Sequence, residues 1–287
     1  MKSKTKNLLL TLGFFILLIT LISVPTVYLV RAAQSGTFHV YLTLGNEIPS
    51  ITWVNDSVSV SPAIGTVRTI YVQFNATDSN GVADLDDSTA VIYINYTGET
   101  TRSNTSCTAQ GNTGNTETYI CAVNMQYYDI NGDWTINVSI ADNAGAEDDD
   151  VSATFTYGTL TAMELGDTML NFSSASLGQS AAAPTQNPLQ VKNLGNQNLV
   201  EINVTGYGLW KSSENISAEA FYVNSSLGAT GASLVNDSAV IVPSATSDRD
   251  TTSTEDNATL YFYVDMPSSG LTEGTFNASN PWTVTVR

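Results

Sequence analysis

The sequence predicts an all-β protein, with two antiparallel β-sandwich domains in tandem after an N-terminal hydrophobic helix. Three observations support this fold class. Residues 8–30 form an uncharged and mostly apolar run. Beyond this run, apolar and polar residues alternate over short segments, as they do in strands with one buried face. Turn-forming sequences such as DSNG, YTGE and DINGD separate these segments, and no segment has the sustained helical period of apolar residues.

Residues 1–32 are predicted to be an N-terminal signal or anchor helix. The apolar run from Leu8 to Val30 is long enough to cross a membrane, for which about 20 residues suffice. Pro25 and the sequence ending at Ala32 also fit a secretory signal cleaved after Ala32, so both alternatives stay open, with the anchor favoured by length. Three lysines before the run place the short N-terminus in the cytoplasm. The rest of the chain is expected to be extracellular, as a single-pass membrane protein at the cell surface or in secreted form.

The charge distribution fits an exported protein and excludes one class of partner. The formal net charge is -17, and all 27 acidic residues follow Ala32, whereas only six of the ten basic residues do. Phosphate binding requires clustered Lys and Arg, so nucleic acid is excluded as a natural partner. An acidic surface outside the cell mostly serves solvation, although it can also hold divalent cations.

Residues 33–48 are predicted to be an amphipathic strand followed by a linker. From Thr37 to Leu44 apolar and polar side chains alternate, so the apolar ones share one face. The apolar face consists of the donor-strand candidates Phe38, Val40, Leu42 and Leu44. This strand is expected either to form the first edge of the following domain or to complete the sheet of a neighbouring molecule by β-augmentation.

Two β domains follow, over residues 49–157 and 158–287. Strands of the first are predicted over Ile51–Val60, Val67–Thr77, Ala90–Tyr96, Thr118–Asn124, Trp134–Ala141 and Val151–Tyr157. Strands of the second are predicted over Leu165–Phe172, Leu189–Asn193, Leu199–Tyr207, Ile216–Val223, Ser238–Val242, Thr259–Asp265 and Trp282–Val286. Short alternating strands at this spacing are typical of antiparallel sandwiches.

The two cysteines, Cys107 and Cys121, are predicted to form a disulfide, as an even pair does in an exported chain. They flank a polar, Gly-rich stretch that is expected to be a loop with little else to hold it. Closing a loop of about fifteen residues stabilises a fold by about 3 kcal/mol in the chain-entropy model. A redox or metal role would need a Cys or His neighbour at ligand spacing, and none is present.

Acceptor sequences for N-glycosylation are twice as frequent as chance predicts, with twelve present against about six expected from composition. The asparagines are Asn55, Asn75, Asn95, Asn104, Asn137, Asn171, Asn203, Asn215, Asn224, Asn236, Asn257 and Asn277. Strand alternation places Asn75, Asn137 and Asn203 on solvent faces, each with its hydroxyl partner two residues on. N-linked glycans are therefore expected. The alternative is that Asn, Ser and Thr are merely frequent in a β-rich surface protein.

The first domain carries a family resemblance. CAVNMQYYDINGDWTINVSIADNAG places a Tyr and an Asp before a tight Gly turn, followed by W-x-I-x-V-x-I and D-N-x-G. Together with VQFNATDSNGVADLDDSTAVIYINY, this stretch resembles the extracellular Ig-like repeats of archaeal surface proteins. The resemblance covers about Pro49 to Tyr157. It implies an Ig-like sandwich with a role in adhesion or envelope architecture, and it carries no catalytic residues.

Acidic residues cluster in two loops that an Ig-like sandwich brings to one end. The candidate ligands of a weak calcium site are Asp78, Asp84, Asp86, Asp142 and Asp148. Ca²⁺ takes six to eight oxygen ligands, and no other cofactor is expected. The EF-hand pattern is not matched, because Gly81 and Gly132 sit at the wrong offset. The alternative, which charge patterning favours, is a pair of solvated acidic loops.

The second domain resembles a domain common in archaeal surface proteins of unknown role. NPLQVKNLGNQNLVEINVTGYGLW contains a strand, an N-x-G-N turn and a strand with an inward aliphatic row. ATLYFYVDMPSSGLTEGTFNASNPWTVTV adds a Y-F-Y-V strand and a closing W-T-V-T-V strand. The exported β-sandwich and the N-x-G-N turn also loosely resemble camelysin/TasA-type and archaeal bundling-pilus subunits, which implies filament assembly as an alternative role.

The sequence predicts that the protein is not an enzyme. Its only histidine, His39, lies on the polar side of a predicted strand, which leaves no His-based triad, HExxH motif or zinc set. G-x-S-x-G, P-loop and dinucleotide patterns are also missing from the sequence. A carboxylate pair for glycoside hydrolysis has no aromatic cleft predicted around it.

The favoured function is that of a membrane-tethered, N-glycosylated structural or adhesion protein of the archaeal cell envelope. Its expected partners are the membrane, through the N-terminal helix, N-linked glycans, and other envelope proteins or copies of itself. The alternative is a secreted subunit of an extracellular filament or pilus, assembled by donor-strand complementation through residues 37–44. Carbohydrate binding through Trp53, Trp210 and Trp282 is a third possibility, and it has weaker support.

Overall fold

The computed structural model describes residues 36–55, 58–173, 175–228, 230–251 and 256–287. The chain divides into two compact units, residues 1–45 and residues 46–287. The predicted signal or anchor helix over residues 1–32 lies outside the described residues. Within the described ranges, no helix is long and apolar enough to span a membrane.

The described part of the chain is all-β, with two short 3-10 turns at Val82–Asp84 and Ala218–Ala220. The first strands are β1 (Ser50–Val54), β2 (Val58–Val60), β3 (Arg68–Thr77), β4 (Leu85–Asn95), β5 (Arg102–Asn104), β6 (Thr108–Thr113), β7 (Thr116–Met125), β8 (Gly132–Asp142) and β9 (Glu147–Tyr157). The others are β10 (Met163–Leu165), β11 (Leu189–Asn193), β12 (Ile202–Thr205), β13 (Leu209–Lys211), β14 (Glu214–Ile216), β15 (Phe221–Asn224), β16 (Ala232–Ser233), β17 (Ala239–Ile241), β18 (Asn257–Val264), β19 (Asn277–Ala278) and β20 (Thr283–Val286).

Residues 46–157, called the first half below, form two sheets around one hydrophobic core. The sheets have the strand orders β1-β3-β7-β6 and β2-β9-β8-β4-β5. All neighbours are antiparallel except β2 and β9, which are parallel. The predicted alternation decides which side chains enter the core: Ile70, Val72 and Phe74 of β3 are buried, while the residues between them are more exposed. Trp134 is fully buried, and its indole N–H donates to the Ile130 carbonyl at 3.0 Å.

The single strand predicted over Ile51–Val60 is wrong, because this part of the chain contributes to both sheets. β1 pairs with β3, whereas β2 pairs with β9 in the opposite sheet. A chain that passes from one sheet to the other cannot keep one continuous hydrogen-bonded ladder. The alternating sequence pattern reports a buried face but not which sheet buries it.

Residues 163–287, called the second half below, form a second core between smaller sheets. The strand orders are β10-β11-β18-β15-β16, β17-β12-β20 and β14-β13-β19. The strand predicted over Leu165–Phe172 reduces to the three residues of β10. Beyond it, Asp167 accepts a hydrogen bond from the backbone N–H of Met169, at 3.2 Å, a local side-chain contact that competes with strand pairing.

Candidate functional site

Three carboxylates meet at one end of the first half. Asp78 directly follows β3, Asp84 ends the 3-10 turn before β4, and Asp142 ends β8. One carboxylate oxygen of each lies within 4.8 Å of the others. Asp78 is 0% and Asp142 2% exposed, while Asp84 is half-buried. These carboxylates therefore do not form a solvated acidic surface.

Backbone hydrogen bonds build the cluster into the fold. The Asp78 carboxylate accepts from the backbone N–H of Asn80 at 2.7 Å, and the Asp84 N–H donates to the Gly81 carbonyl at 2.9 Å. Gly81 has a φ of 109°, a conformation that side chains disfavour. The backbone N–H of Asn143 crosses to the Asp84 carbonyl at 2.7 Å. The two acidic turns are thus hydrogen-bonded to each other.

Asp78 has an unusual hydrogen-bonding deficit. Its Oδ2 atom is buried and has no hydrogen-bond partner. Among the described residues, none of the ion pairs involves Asp78, Asp84 or Asp142. Buried polar atoms are almost always paired, and a buried charged oxygen without a partner is costly. The cluster therefore lacks a positive counterpart within the described protein.

Hydrogen bonds to Asp142 favour its ionised form. Asn46 donates its side-chain N–H to Asp142 Oδ2 at 2.7 Å, and the backbone N–H groups of Ala146 and Ala144 donate to Oδ1 at 2.8 and 2.9 Å. The Asn46 hydrogen bond and then these backbone bonds lower the pKa of Asp142, although burial opposes them. Asn46, four residues before the start of β1, thereby takes part in the site.

The structure places the other two predicted calcium ligands elsewhere. Asp86 accepts from the backbone N–H and the hydroxyl of Ser88, at 3.0 and 2.6 Å. Asp148 lies on β9 and accepts from the backbone N–H of Ile51 at 2.7 Å. The acidic run after Asp142 was expected to be a loop, but β9 begins at Glu147. Most of these carboxylates consequently lie along a strand.

The predicted glycosylation sites differ in how far their asparagines reach solvent. Asn75 and Asn137 are partly exposed on strands whose alternate residues are buried, as predicted. Asn203 lies on the predicted outer face of its sheet, opposite the buried Ile202 and Val204, but the residue is only 7% exposed. It lies in the middle strand of a three-stranded sheet, opposite Ile241 and Thr285, and donates to Glu201 at 2.8 Å. The other nine predicted asparagines are exposed or partly exposed.

We expect Asn203 to carry no glycan in the mature protein, whereas exposed sites such as Asn215 and Asn277 are occupied. Transfer to Asn203 would displace its hydrogen bond to Glu201 and force the sugar between two cross-strand neighbours. Site-resolved glycopeptide mass spectrometry of the native protein measures the occupancy. Full occupancy of Asn203 would contradict the placement of its side chain. Addition of the sugar before folding is tested separately, because Asn203→Gln would then cause a folding defect.

The donor-strand candidates do not form a strand in the single chain. The described residues 36–49 have no strand assignment, so the strand predicted over Thr37–Leu44 is wrong for an isolated molecule. Phe38, Val40, Leu42 and Leu44 are between 76% and 85% exposed. An unpaired strand lacks the ladder hydrogen bonds and packing that would fix it. The alternating pattern indicates a capacity to pair, and the pairing itself requires a partner strand.

The predicted disulfide is confirmed. Cys107 and Cys121 are bonded, and neither is left free. The stretch between them was expected to be a loop, but β6 and β7 fold it into a hairpin. Its turn is Gly114-Asn115, with Gly114 at a φ of 64°. Gly-Asn between two strands is a known hairpin signal, so this element could have been found from the sequence.

Sequence reasoning missed the polar junction at which the two halves meet. Arg249 of the second half donates to the Glu99 carboxylate at 2.6 Å and to the Tyr128 carbonyl at 2.6 Å. The Tyr127 hydroxyl donates to the Asp250 carboxylate at 2.7 Å, with both residues buried. The charged side chains buried at the junction therefore each have a hydrogen-bond partner.

The N-x-G-N turn of the second half supplies the centre of this junction. Asn196 is 1% exposed and donates to the carbonyls of Asp129 and Gly158, at 3.0 and 2.8 Å. Its own Oδ1 accepts from the backbone N–H of Leu160 at 2.7 Å. Gly195 is required beside it, since a Cβ there would lie 2.2 Å from the Leu160 carbonyl oxygen. The turn thus fastens the second half to the end of the first.

A buried ion pair underlies the turn. The Arg102 guanidinium forks onto the Asp129 carboxylate, with its Nε 3.0 and 3.1 Å from the two oxygens and its Nη2 in close contact. The Asp129 side chain is only 1% exposed. Burial opposes the charge on Arg102, but the hydrogen bonds and charge of Asp129 prevail and raise the pKa of Arg102. Only six basic residues follow Ala32, and two of them, Arg102 and Arg249, serve this junction.

The three tryptophans considered for carbohydrate binding do not share one surface. Trp53 lies on β1 of the first half and Trp210 on β13 of the second, each 47% exposed. Trp282 packs edge-on against Phe221, with ring centroids 5.1 Å apart, and donates to the Tyr207 carbonyl at 3.0 Å. Trp282 therefore serves the second core, and the third interpretation loses one of its three residues.

Comparison with known proteins leaves the family open. No family model matches the chain, and no curated protein matches it. A crystal structure of a DUF4466 family protein from Parabacteroides merdae is similar at 12% sequence identity, over 77% of this chain and 100% of that chain, with a TM-score of 0.24. A likeness at that TM-score carries no argument about fold or function.

Proposed function

We propose that the chain is an extracellular, N-glycosylated structural or adhesion protein of the cell envelope, tethered by its N-terminal segment and without catalytic activity. The observation that carries the proposal is the polar junction, at which residues of both halves are buried and paired. Residues 46–287 form one compact unit. Such a unit suits a spacer or scaffold that holds a fixed shape outside the cell.

Strand order supports an Ig-like assignment for the first half. Taking β1, β3, β4, β6, β7, β8 and β9 as strands A to G, one sheet has the order A-B-E-D and the other contains G-F-C. The proposal of an Ig constant-type sandwich is supported by this match, because such a sandwich has the sheets A-B-E-D and G-F-C. Surface modules of many kinds use this architecture, so the assignment supports an envelope role without identifying a ligand.

The absence of catalysis is part of the proposal. A shallow depression beside β4 and β8 is lined by Asn95, Tyr96, Thr97, Asp133 and Thr135. Its one carboxylate, Asp133, accepts a hydrogen bond from the Thr156 hydroxyl at 2.6 Å. The only other titratable group in this lining is the Tyr96 phenol, so the depression offers no pair of carboxylates for acid–base catalysis. A structural or adhesive role fits these residues better than a catalytic one.

Intact mass measurement and N-terminal sequencing of the protein from its native membrane fraction test the proposal. We expect a retained N-terminus at Met1 or Lys2, with added mass in sugar-sized increments. A terminus at Ala33 would refute tethering. A mass equal to that of the bare polypeptide would refute glycosylation.

A second candidate function is assembly into a filament by donor-strand exchange. The exposed apolar side chains of residues 37–44 favour it, because four such residues on one strand face are costly to leave in water. The second core is also less well covered than the first: fourteen hydrophobic residues at its edge are only partly buried, against four around the first core. Val284 and Val286 of β20 are among them, and β20 pairs with a strand on one side only.

Paired charge substitutions separate the two functions. Leu42→Asp places a charge on the apolar face of the segment, whereas Thr43→Asp places the same charge on the opposite face. If residues 37–44 complete a neighbour's sheet, Leu42→Asp abolishes filaments seen by electron microscopy and Thr43→Asp leaves them intact. Filaments that persist in both variants would exclude this segment as the donor, and a wild-type protein that stays monomeric at the cell surface would exclude the filament.

A further inference from the structure

We propose that Asp78, Asp84 and Asp142 bind one Ca²⁺ ion, which neutralises the acidic end of the first half. Carboxylate oxygens that lie within 4.8 Å of one another fit around a single ion. Ca²⁺ binds oxygen at about 2.3–2.6 Å, so ligands on opposite sides of the ion are about 4.6–5.2 Å apart. The three carboxylates are thus spaced as ligands of one cation.

The unpartnered Oδ2 of Asp78 points to a ligand independently of the clustering. Asp78 is 0% exposed, one of its oxygens is satisfied by the Asn80 N–H, and the other has no hydrogen-bond partner. A buried carboxylate is tolerated when it is paired or coordinates a metal. The described residues pair no Lys, Arg or His with it. A cation at the cluster supplies the missing contact.

The donor set selects the class of ion. All the side-chain donors are oxygens, which favours a hard cation over zinc or copper. Asn46 donates to Asp142 Oδ2 at 2.7 Å and so fixes the orientation of that carboxylate. Ligands from two separate turns form an irregular shell, which Ca²⁺ accepts and Mg²⁺, with its strict octahedron, does not.

The site would fasten the start of the folded unit. Asn46 precedes β1, and the neighbouring Glu47 donates its backbone N–H to the Asn80 side chain at 2.7 Å. A cation bound by Asp78 and Asp142 fixes both carboxylates. It thereby keeps Asn80, which donates to Asp78, and Asn46, which donates to Asp142, in place. Extracellular calcium sites have dissociation constants of about 10⁻⁴–10⁻³ M. Calcium outside the cell would therefore regulate how firmly the N-terminal connection is held.

Thermal unfolding of the full-length protein tests the proposal. We expect 10 mM CaCl₂ to raise Tm by about 3–10 °C relative to EDTA, given that affinity and the size of the unit. MgCl₂ at the same concentration should give less than half of this shift. An equal Tm in CaCl₂ and EDTA, or an equal shift with MgCl₂, would overturn the calcium assignment.

Matched variants locate the ion. Asp78→Asn should abolish the calcium-dependent rise and raise Tm in EDTA, because it removes one of three neighbouring like charges. Asp149→Asn removes the same charge from an exposed position on β9 and should keep the full rise. If Asp78→Asn does not fold, the half-buried Asp84→Asn gives the same test. Loss of the response in Asp149→Asn, or its retention when Asp78 or Asp84 is changed, would refute this site.

Discussion

Arg102→Ala is expected to lower the free energy of unfolding by about 3–5 kcal/mol, the usual cost of removing one partner of a buried ion pair. The substitution leaves the Asp129 carboxylate, whose side chain is 1% exposed, with no cation. The backbone N–H of Gln126, at 2.7 Å, would be its remaining donor. Arg102 also lies 5.8 Å from the ring centroid of Tyr128, so packing is lost together with charge. Urea denaturation followed by tryptophan fluorescence measures the change.

A second arginine provides the control for this prediction. The Arg287 side chain is 80% exposed, and its ion pair with Glu201 is long, at 3.8 Å. Arg287→Ala should therefore change the free energy of unfolding by less than about 0.5 kcal/mol. Arg102→Lys keeps the charge but loses the forked contact, and we expect an intermediate loss. Equal stability of Arg102→Ala and Arg287→Ala would show that the Arg102–Asp129 pair does not hold the junction.

Asn196→Ala is expected to separate the two halves as well as to destabilise them. It removes both donors to the buried carbonyls of Asp129 and Gly158 and the acceptor of the Leu160 N–H. Each polar group left unpaired costs about 1–3 kcal/mol, so a total loss of about 3 kcal/mol or more is expected. Because the loss falls on the junction, calorimetry should resolve two transitions in the variant where the wild type shows one.

Two further variants define the specificity of this effect. Gly195→Ala drives its Cβ onto the Leu160 carbonyl and should reproduce the two transitions without removing a hydrogen-bonding group. Asn112→Ala, at an exposed position on β6, should leave one transition at the wild-type temperature. If Asn196→Ala and Gly195→Ala still unfold in a single step, the turn is not what joins the halves.

Alternating patterns predicted the all-β class and most of the first core. In β3 the sequence period and the burial agree residue by residue, because alternate side chains of a strand point to opposite faces. In β8 they agree except at Ser139, which is buried between Val138 and Ile140. The same period could not tell that β1 and β2 belong to different sheets. It also did not predict the low exposure of Asn203, which is set by the cross-strand neighbours Ile241 and Thr285.

The candidate calcium site was partly predictable. Loop positions placed Asp78, Asp84 and Asp142 at one end, but they also favoured Asp86 and Asp148, whose carboxylates accept from the backbone N–H groups of Ser88 and Ile51 instead. Composition suggested solvated loops, and burial of Asp78 and Asp142 depends on turns that no single-residue pattern encodes. The contribution of Asn46 requires contact between residues 96 apart in sequence.

The junction could not be predicted from the sequence, because its contacts join residues far apart in the chain, as from Glu99 to Arg249. Only the N-x-G-N turn was visible beforehand, as a motif without a physical role. The structure gives it one: Gly195 permits close approach, and Asn196 satisfies three backbone groups at the boundary.

Differential scanning calorimetry of the wild-type protein tests most directly whether the two halves act as one structural unit. The polar junction predicts one endotherm, with a calorimetric enthalpy close to the van't Hoff enthalpy. Two endotherms, or a calorimetric enthalpy about twice the van't Hoff value, would mean that the halves unfold independently and would contradict the rigid unit on which the proposed envelope role rests.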